Sequence, residues 1–497
     1  MMSAYADLER RFKRISVLRE AAGMLQWDTA TVMPKGGAGV RGEQLAALQR
    51  TCHEFLTDAP MSDLLDEARL ETGLDDWQSA NLREMHRAWI HASALDGALV
   101  EALTRARLAC EMVWREARPA NDFARVVSRL KELLARVREV ATAKAEKLNR
   151  PPYEALLDEY EPGFTTQRID ALFAELAKTL PDILRRVLAR QQALPPPVSP
   201  QGPFPVPAQR ALCERLMRQL GFDFDSGRLD VSLHPFCGGV PEDIRITTRF
   251  EEADFARSLM GVLHETGHAL YEKGLPHAWR HQPVGEARGM ALHESQSLLV
   301  EMLACRGRAF LDFAAPLMRE AFAGAGPAWE PENLHRLAIR VAPGFIRVDA
   351  DEITYPMHVI LRYRLERDMI AGSLAVEDLP AAWNAGMQEL LGITPPDDTR
   401  GCLQDIHWYD GAWGYFPTYT LGALCAAQLF DTALAAVPDI PEAIRRGDFS
   451  PLLGWLRAHV HSKGSLLMTE ALILEATGKP LGTEAFRRHL ERRYLSA

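Results

Sequence analysis

The sequence predicts a mainly α fold, many helices with one small β-sheet among them. Three observations carry this. Leu8, Phe12, Ile15, Leu18, Ala22 and Leu25 recur at three- and four-residue steps along 5–27, which makes one apolar helical stripe. Residues 76–148 hold a single proline, Pro119, and are rich in Ala, Leu, Glu, Arg and Lys, the composition of long helices. One stretch alone reads as a strand. In 243–250, Ile244, Ile246, Thr248 and Phe250 alternate with Arg245, Thr247 and Arg249.

In chain order, the first helix should stop at the loop 28–38, because Pro34 and Gly36-Gly37 are poor helix material. A second helix is expected at 39–56. The 76–148 segment should break near Arg118-Pro119, and a further helix fits 167–191. PPPVSPQGPFPVP at 195–207 cannot be regular helix or sheet. It reads as a rigid connection between an N-terminal helical region, 1–194, and the region carrying the chemistry, 208–497, within one continuous fold. The most apolar run, 421–437, is interrupted by Gln428 and Asp431 and is shorter than the roughly 20 residues a spanning helix needs. A buried helix is expected there, and no membrane association.

Composition narrows the class of function. Lys plus Arg is 57 and Asp plus Glu is 67, a formal charge of −10, which argues against the concentrated basic face of a nucleic-acid binder. The seven cysteines are scattered singly, so neither a disulfide framework nor a thiolate zinc knuckle is suggested. The start, MMSAYADLERRFKR, is charged where a signal peptide needs an apolar stretch. A reducing, cytoplasmic setting is expected.

The chemistry concentrates in 254–273, which reads as one helix opened by Asp254 or Glu251-Glu252 and closed at Gly274. It contains His264-Glu265-Thr266-Gly267-His268. Residues four apart share a helix face, so two imidazoles can converge on one zinc ion at roughly 2.0–2.1 Å. Glu265 then stands beside the ion, placed to accept a proton from water. Gly267 costs about 1 kcal/mol relative to alanine in mid-helix. That cost makes sense if another element must approach the backbone closely.

A third ligand is needed. A second Gly-and-His extension of the motif is excluded, because Tyr271 and Gly274 stand three and six residues after His268. A carboxylate on the next helix, 289–310, is the alternative. Glu294 is the first candidate; Glu301, about two turns on and on roughly the same face, is its competitor or an outer partner. Ser295 and Ser297 stand ready to hydrogen-bond nearby. An oxyanion needs a further donor, for which Tyr409, Tyr415 and Tyr419 are candidates in the aromatic run 407–420, with His407 as a further substrate contact. A free C-terminal carboxylate would need a placed arginine: Arg347 first, Arg245 second.

These residues also fall in motifs. HPF stands at His234–Phe236, DxRxT at Asp243, Arg245 and Thr247, HExxH at His264–His268, and HES at His293–Ser295. IRxxAD follows at Ile346–Asp351, and GxxQDxHW at Gly401, Gln404, Asp405, His407 and Trp408; WDTATVMPKGG precedes them at 27–37. In this order over essentially the whole length, they resemble the thermostable carboxypeptidase Taq family of metallocarboxypeptidases. The resemblance implies a mainly helical fold with its small sheet beside a deep groove, roofed by the N-terminal helices, and a homodimer. It implies stepwise release of C-terminal residues from peptides, with broad preference and resistance to proline. His264, His268 and Glu294 would hold one zinc or cobalt ion per subunit, with Glu265 as the catalytic glutamate. Arg347 would read the substrate carboxylate, and His234, Asp243, Thr247, Asp351, Gln404 and Asp405 would line the groove. Two other readings stand beside this one: a zinc endopeptidase or oligopeptidase with the same metal helix, and a helical metal-binding scaffold without catalysis.

Overall fold

In the computed structural model, residues 3–496 are described. Four N-terminal helices close on a small core of their own: α1 (Ala4–Thr31), α2 (Ala38–Thr57), α3 (Ala59–Leu70) and α4 (Asp76–Ser93). The α1 stripe of Leu8, Phe12 and Ile15 packs there against Leu56, Met61, Leu65 and Met85. The helix runs past its expected stop. The Thr29 and Thr31 hydroxyls donate to the Leu25 and Trp27 carbonyls at 2.8 Å each, and Asp28 pairs with Arg41 at 2.8 Å.

The 76–148 segment breaks twice, not once. α5 (Gly97–Ala120) and α6 (Phe123–Leu148) follow α4. The first break is made by Asp96, whose carboxylate caps α5 by accepting the Leu99 N–H at 2.8 Å. The second falls just after Pro119, at Asn121, whose φ of 54° turns the chain out of the helix. Then come α7 (Pro152–Tyr160), α8 (Thr166–Gln192) and α9 (Val206–Gln219), which takes the last two residues of the expected 195–207 connection because Pro207 is tolerated in the first turn of a helix. That connection lies against the protein. The Val198 N–H and carbonyl both bond the Asn333 side chain at 2.8 Å.

The sheet has three strands, β1 (Gly227–Val231), β2 (Phe236–Val240) and β3 (Asp243–Thr248), in the order β1-β3-β2. The predicted strand is the central one, parallel to β1 and antiparallel to β2, with Ile246 opposite Leu229 and Cys237. It carries α10 (Phe255–Gly274) across its face.

The expected single helix at 289–310 is divided into α11 (Met290–Leu298), a wider π turn over Leu299–Cys305, and α12 (Arg308–Ala321). A π turn leaves carbonyls without their usual partners. Here the Arg493 guanidinium donates to the Met302 and Leu303 carbonyls at 2.5 and 2.8 Å, a distant partner that local patterning cannot reveal.

The rest is helical: α13 (Pro331–Ala338), α14 (Tyr355–Ala371), α15 (Leu379–Leu391), α16 (Pro417–Ala436), α17 (Ile440–Arg445), α18 (Ser450–His459), α19 (Thr469–Thr477) and α20 (Glu484–Tyr494). α16 covers the apolar run and is buried nearly all round. No described helix is long and apolar enough to cross a membrane. One large core runs from Ala106 to Tyr494 and takes residues from both sides of the proline-rich connection, Leu176 and Leu180 before it and Leu212 and Leu216 after it.

Candidate metal centre

Two tight approaches set the site. Asp254 caps α10 by accepting the Ala256 and Arg257 N–H groups at 3.0 and 3.2 Å, which fixes where the helix starts. At Gly267 the backbone of α11 comes so close that an added Cβ would sit 2.6 Å from the Gln296 carbonyl oxygen and the Ser297 Cα. This is the close approach that a mid-helix glycine predicts. On the other side of α11, an added Cβ at Gly422 of α16 would lie 3.0 Å from Glu294 Cβ and Cγ. Glu294 is held between two helices, each with a glycine at the contact. Gly422 was missed from sequence, although a glycine in a long apolar helix is the same kind of signal.

The clamp brings His264 Nε2 and His268 Nε2 to 3.6 and 3.5 Å from Glu294 Oε2. Those spacings are too long for good hydrogen bonds. They match the edge of a tetrahedron around an ion with bonds of about 2.0–2.2 Å, which is roughly 3.4 Å. His264, His268 and Glu294 are the single His/Cys/Asp/Glu group of metal-holding geometry among the described residues. The donor set suits zinc or cobalt.

Around these three, the sequence candidates separate. Glu301 lies on the π turn and reaches the other face of His264, Nδ1 to Oε2 at 3.1 Å, while Arg306 grips its second oxygen at 2.7 Å. It orients a ligand and does not compete for the ion. Ser297 donates to Glu294 Oε2 at 3.2 Å; the Ser295 hydroxyl turns back to the Leu292 carbonyl. His293 stacks on His268 and is tied to Glu272 at 2.8 Å. The His268 Nδ1 is buried without a partner among the described residues.

Electrostatics follow from burial and neighbours. Burial pushes the Glu294 carboxyl up, but the His264 charge and the two imidazole contacts outweigh it and hold the group well below the usual range. Burial lowers His268 to about 4, helped by His293. Glu265 is only 8% exposed, and burial raises it to about 7 against the lowering pull of His264.

A second charged cluster stands beside the first. Arg347 is 5% exposed and donates to Asp405 Oδ1 through Nε and Nη2, at 3.1 and 2.8 Å. The other oxygen, Asp405 Oδ2, takes the fully buried Arg362 at 2.6 Å. Gln404 accepts from the Arg347 backbone and the Arg362 guanidinium at 2.9 and 2.8 Å. Two guanidiniums therefore share one carboxylate. The excess positive charge faces Tyr355, which accepts from Arg347 at 3.3 Å, and Tyr419, whose ring lies 4.8 Å from the guanidinium. Tyr419 meets His407 at 3.3 Å and packs on Tyr415. The Glu294 charge acts on Tyr355, Tyr415 and Tyr419 alike, so this cluster adjoins the ligand set. Arg362 and Tyr355 were not predicted. Nothing in local sequence marks a residue that only long-range packing delivers.

Other expectations are corrected. Tyr409 is fully buried, stacked on Trp114, with its hydroxyl on the Cys402 carbonyl at 2.9 Å, so it has no donor to offer a substrate. Arg245 forks onto Asp243 at 3.0 and 2.8 Å and lies 4.2 Å over the Trp27 ring, leaving no surplus charge. Thr247 accepts the Phe236 N–H and the Ser232 hydroxyl, which ties the loop before β2; His234 is exposed and joins through its carbonyl. Asp351 accepts the Ala342, Ile353 and Thr354 N–H groups at 3.0 Å and shapes the turn into α14. A cleft of about 610 Å³ opens toward His293 between Arg19 and Glu20 of α1, Arg87 of α4 and the Val240–Glu242 turn.

Comparison with known proteins agrees with this geometry. Residues 7–494 match the family described as carboxypeptidase Taq (M32) metallopeptidase. The chain is 38% identical to thermostable carboxypeptidase 1 of Thermus thermophilus, covering 99% of each, and 34% identical to carboxypeptidase 1 of Bacillus subtilis, covering 97% and 96%. Among solved structures, Trypanosoma cruzi metallocarboxypeptidase 1 superposes with a TM-score of 0.97 at 44% identity, covering 99% of each chain. The M32 carboxypeptidase of Deinococcus radiodurans superposes with a TM-score of 0.93 at 35% identity, covering 99% of this chain and 98% of that one. With its metal-ligand geometry and its whole length in agreement, the chain belongs to the carboxypeptidase Taq (M32) family of metallopeptidases.

Proposed function

We propose that this metallocarboxypeptidase releases C-terminal residues from peptides with His264, His268 and Glu294 holding one zinc or cobalt ion per subunit. When bound, the ion supplies Lewis acidity toward water and the scissile carbonyl. Glu265, buried beside the ligands, takes the attacking water's proton on its carboxylate and hands it to the departing amine. Arg347 binds the substrate's terminal carboxylate through the positive charge that Asp405 shares out between two arginines. Tyr355 and Tyr419, next to both clusters, are the donors for the carbonyl oxygen.

The observation that carries the exopeptidase reading is the pairing of Arg347 and Arg362 on Asp405. A net cation in a nearly closed site selects an anion, and a chain end carries one where an internal bond does not. α1 and α4 line one wall of the cleft, which supports reading 1–194 as a roof over a catalytic region at 208–497. Broad preference, resistance to C-terminal proline, a homodimer and a cytoplasmic setting complete the reading; all seven cysteines are free thiols. The test is one peptide supplied as free acid and as C-terminal amide. The acid should be trimmed to a ladder and the amide left intact. Equal internal cleavage of both would sink the proposal.

A further inference from the structure

The π turn borders two spaces. On one side Glu301 reaches His264. On the other, Leu303 and Ala304 line a second cleft of about 1070 Å³, walled by the end of α8, the proline-rich connection, α13, α17 and α20. None of the motif residues enters it. Seven arginines line this cleft and Glu332 is the one acidic residue lining it, in a chain whose formal charge is −10. The concentration is therefore local, not a reflection of composition.

Some of these arginines are already engaged. Arg308 pairs with Asp312 and Glu332, Arg445 with Asp312 and Glu442, and Arg493 with Glu352. Others have little or nothing to balance them. Among the described residues, the Arg190 and Arg340 guanidiniums make no hydrogen bond or ion pair, and that of Arg336 reaches only the Pro195 carbonyl. Arg492 lies 3.8 Å from Asp431, at the outer limit of a pair. Like charges gathered along a concave, solvent-open surface raise the potential there and favour an anion. The neighbouring His335 is pulled below its usual pKa by burial and by the Arg493 charge, in keeping with a positive field. Between the guanidiniums the lining is apolar: Leu188, Ile339, Phe430, Leu434 and Ile444. A site of this size with an apolar lining and a few convergent cations has the make-up of a small-molecule pocket.

We propose that this cleft binds a small organic anion with an apolar body, of the aryl phosphate class, at a site separate from the metal centre. Guanidinium groups take the phosphate by paired N–H donors, and the apolar lining takes the ring. The proposal does not depend on the peptidase reading.

The experiment is calorimetric titration of the full-length, metal-loaded protein with 1-naphthyl phosphate, and separately with inorganic phosphate. Saturable binding of 1-naphthyl phosphate is expected, about tenfold or more tighter than inorganic phosphate and weakening as salt rises. R190A/R340A should lose about tenfold or more of that affinity, while Arg347→Ala keeps it. Neither Arg190 nor Arg340 supports the fold through a bond, so the double variant should retain the parent circular dichroism; the charge-reversed R190E/R340E should abolish binding. Absence of saturable heat, binding unchanged in R190A/R340A, loss of binding in Arg347→Ala, or equal affinity for the two probes would each overturn the proposal. So would a double variant that changes oligomeric state in a protein binding neither probe, because a second copy would then fill the cleft.

Discussion

At the metal centre three ligand atoms face one another at spacings too long for good hydrogen bonds, and the His268 Nδ1 is left without a partner. At the arginine cluster a few residues away, the charges meet at close range: Asp405 holds two guanidiniums and Gln404 accepts from both arginines. Both are buried and polar: the ligands stand on α10 and α11 with α16 packed behind Glu294, and the arginines on α14 and the turn before it. The difference is in what each presents. In the ligand set three donor atoms converge on one point, whereas the arginine pair carries more positive charge than its one carboxylate balances. A buried charge without a partner is costly; under the proposed function an ion would sit at the first cluster and a substrate carboxylate at the second.

That contrast can be broken experimentally, starting where the effect is largest. Glu265→Gln removes the proton acceptor and keeps the shape of the side chain. Hydrolysis should fall by about 10³-fold or more while metal content, read by atomic absorption, stays at the parent level. A loss of metal together with activity would place Glu265 in the ligand set.

Arg347→Gln tests the other side. kcat/KM on a peptide acid should drop about 100-fold, the worth of charge-assisted hydrogen bonds to a carboxylate, with metal content unchanged. Arg245→Gln should leave kcat/KM near the parent value, because that guanidinium is already neutralised by Asp243. A larger loss at Arg245 than at Arg347 would reverse the assignment of the two arginines.

A smaller effect is expected from Glu301→Gln, which weakens the outer support of His264. Zinc affinity should fall about tenfold, measured by competition with a chelator, while the same change at Glu366 leaves it alone. A Glu301→Gln protein binding zinc like the parent would reduce Glu301 to a packing residue.

The smallest effect concerns pH. Glu366 is fully buried, donated to by Tyr153 and by Trp408 of the GxxQDxHW motif, and burial raises it to about 8. Its folded form keeps a proton that the unfolded chain releases near the ordinary value of 4.5. The folded state then binds more protons, so this group's contribution to stability declines as pH rises from about 4.5 to about 8. Denaturant midpoints of Glu366→Gln should slope less with pH in that window than those of the parent. Parallel slopes would show that Glu366 titrates like a solvated acid.

Much of this was legible from residue patterns because it is local. The four-residue step from His264 to His268 puts both rings on one helix face whatever surrounds them, and the mid-helix Gly267 announces a close neighbour. The alternation in 243–250 marks the central strand. Asp96, by contrast, ends a helix with a cap that the run of helix-forming residues conceals. The π turn is held open by Arg493, almost 200 residues away in sequence.

Sequence alone determined the mainly helical class, the metal helix with its glutamate, and the short set of acids and arginines from which the site had to be drawn. It could not choose within that set. Tertiary structure decided that Glu294 meets both imidazoles while Glu301 supports one from behind, that Arg347 carries spare charge while Arg245 does not, and that Tyr409 belongs to the core. The reason is physical: helical and strand periodicity comes from bonds a few residues apart, whereas the net charge and free valence of a buried group depend on every neighbour that folding brings to it.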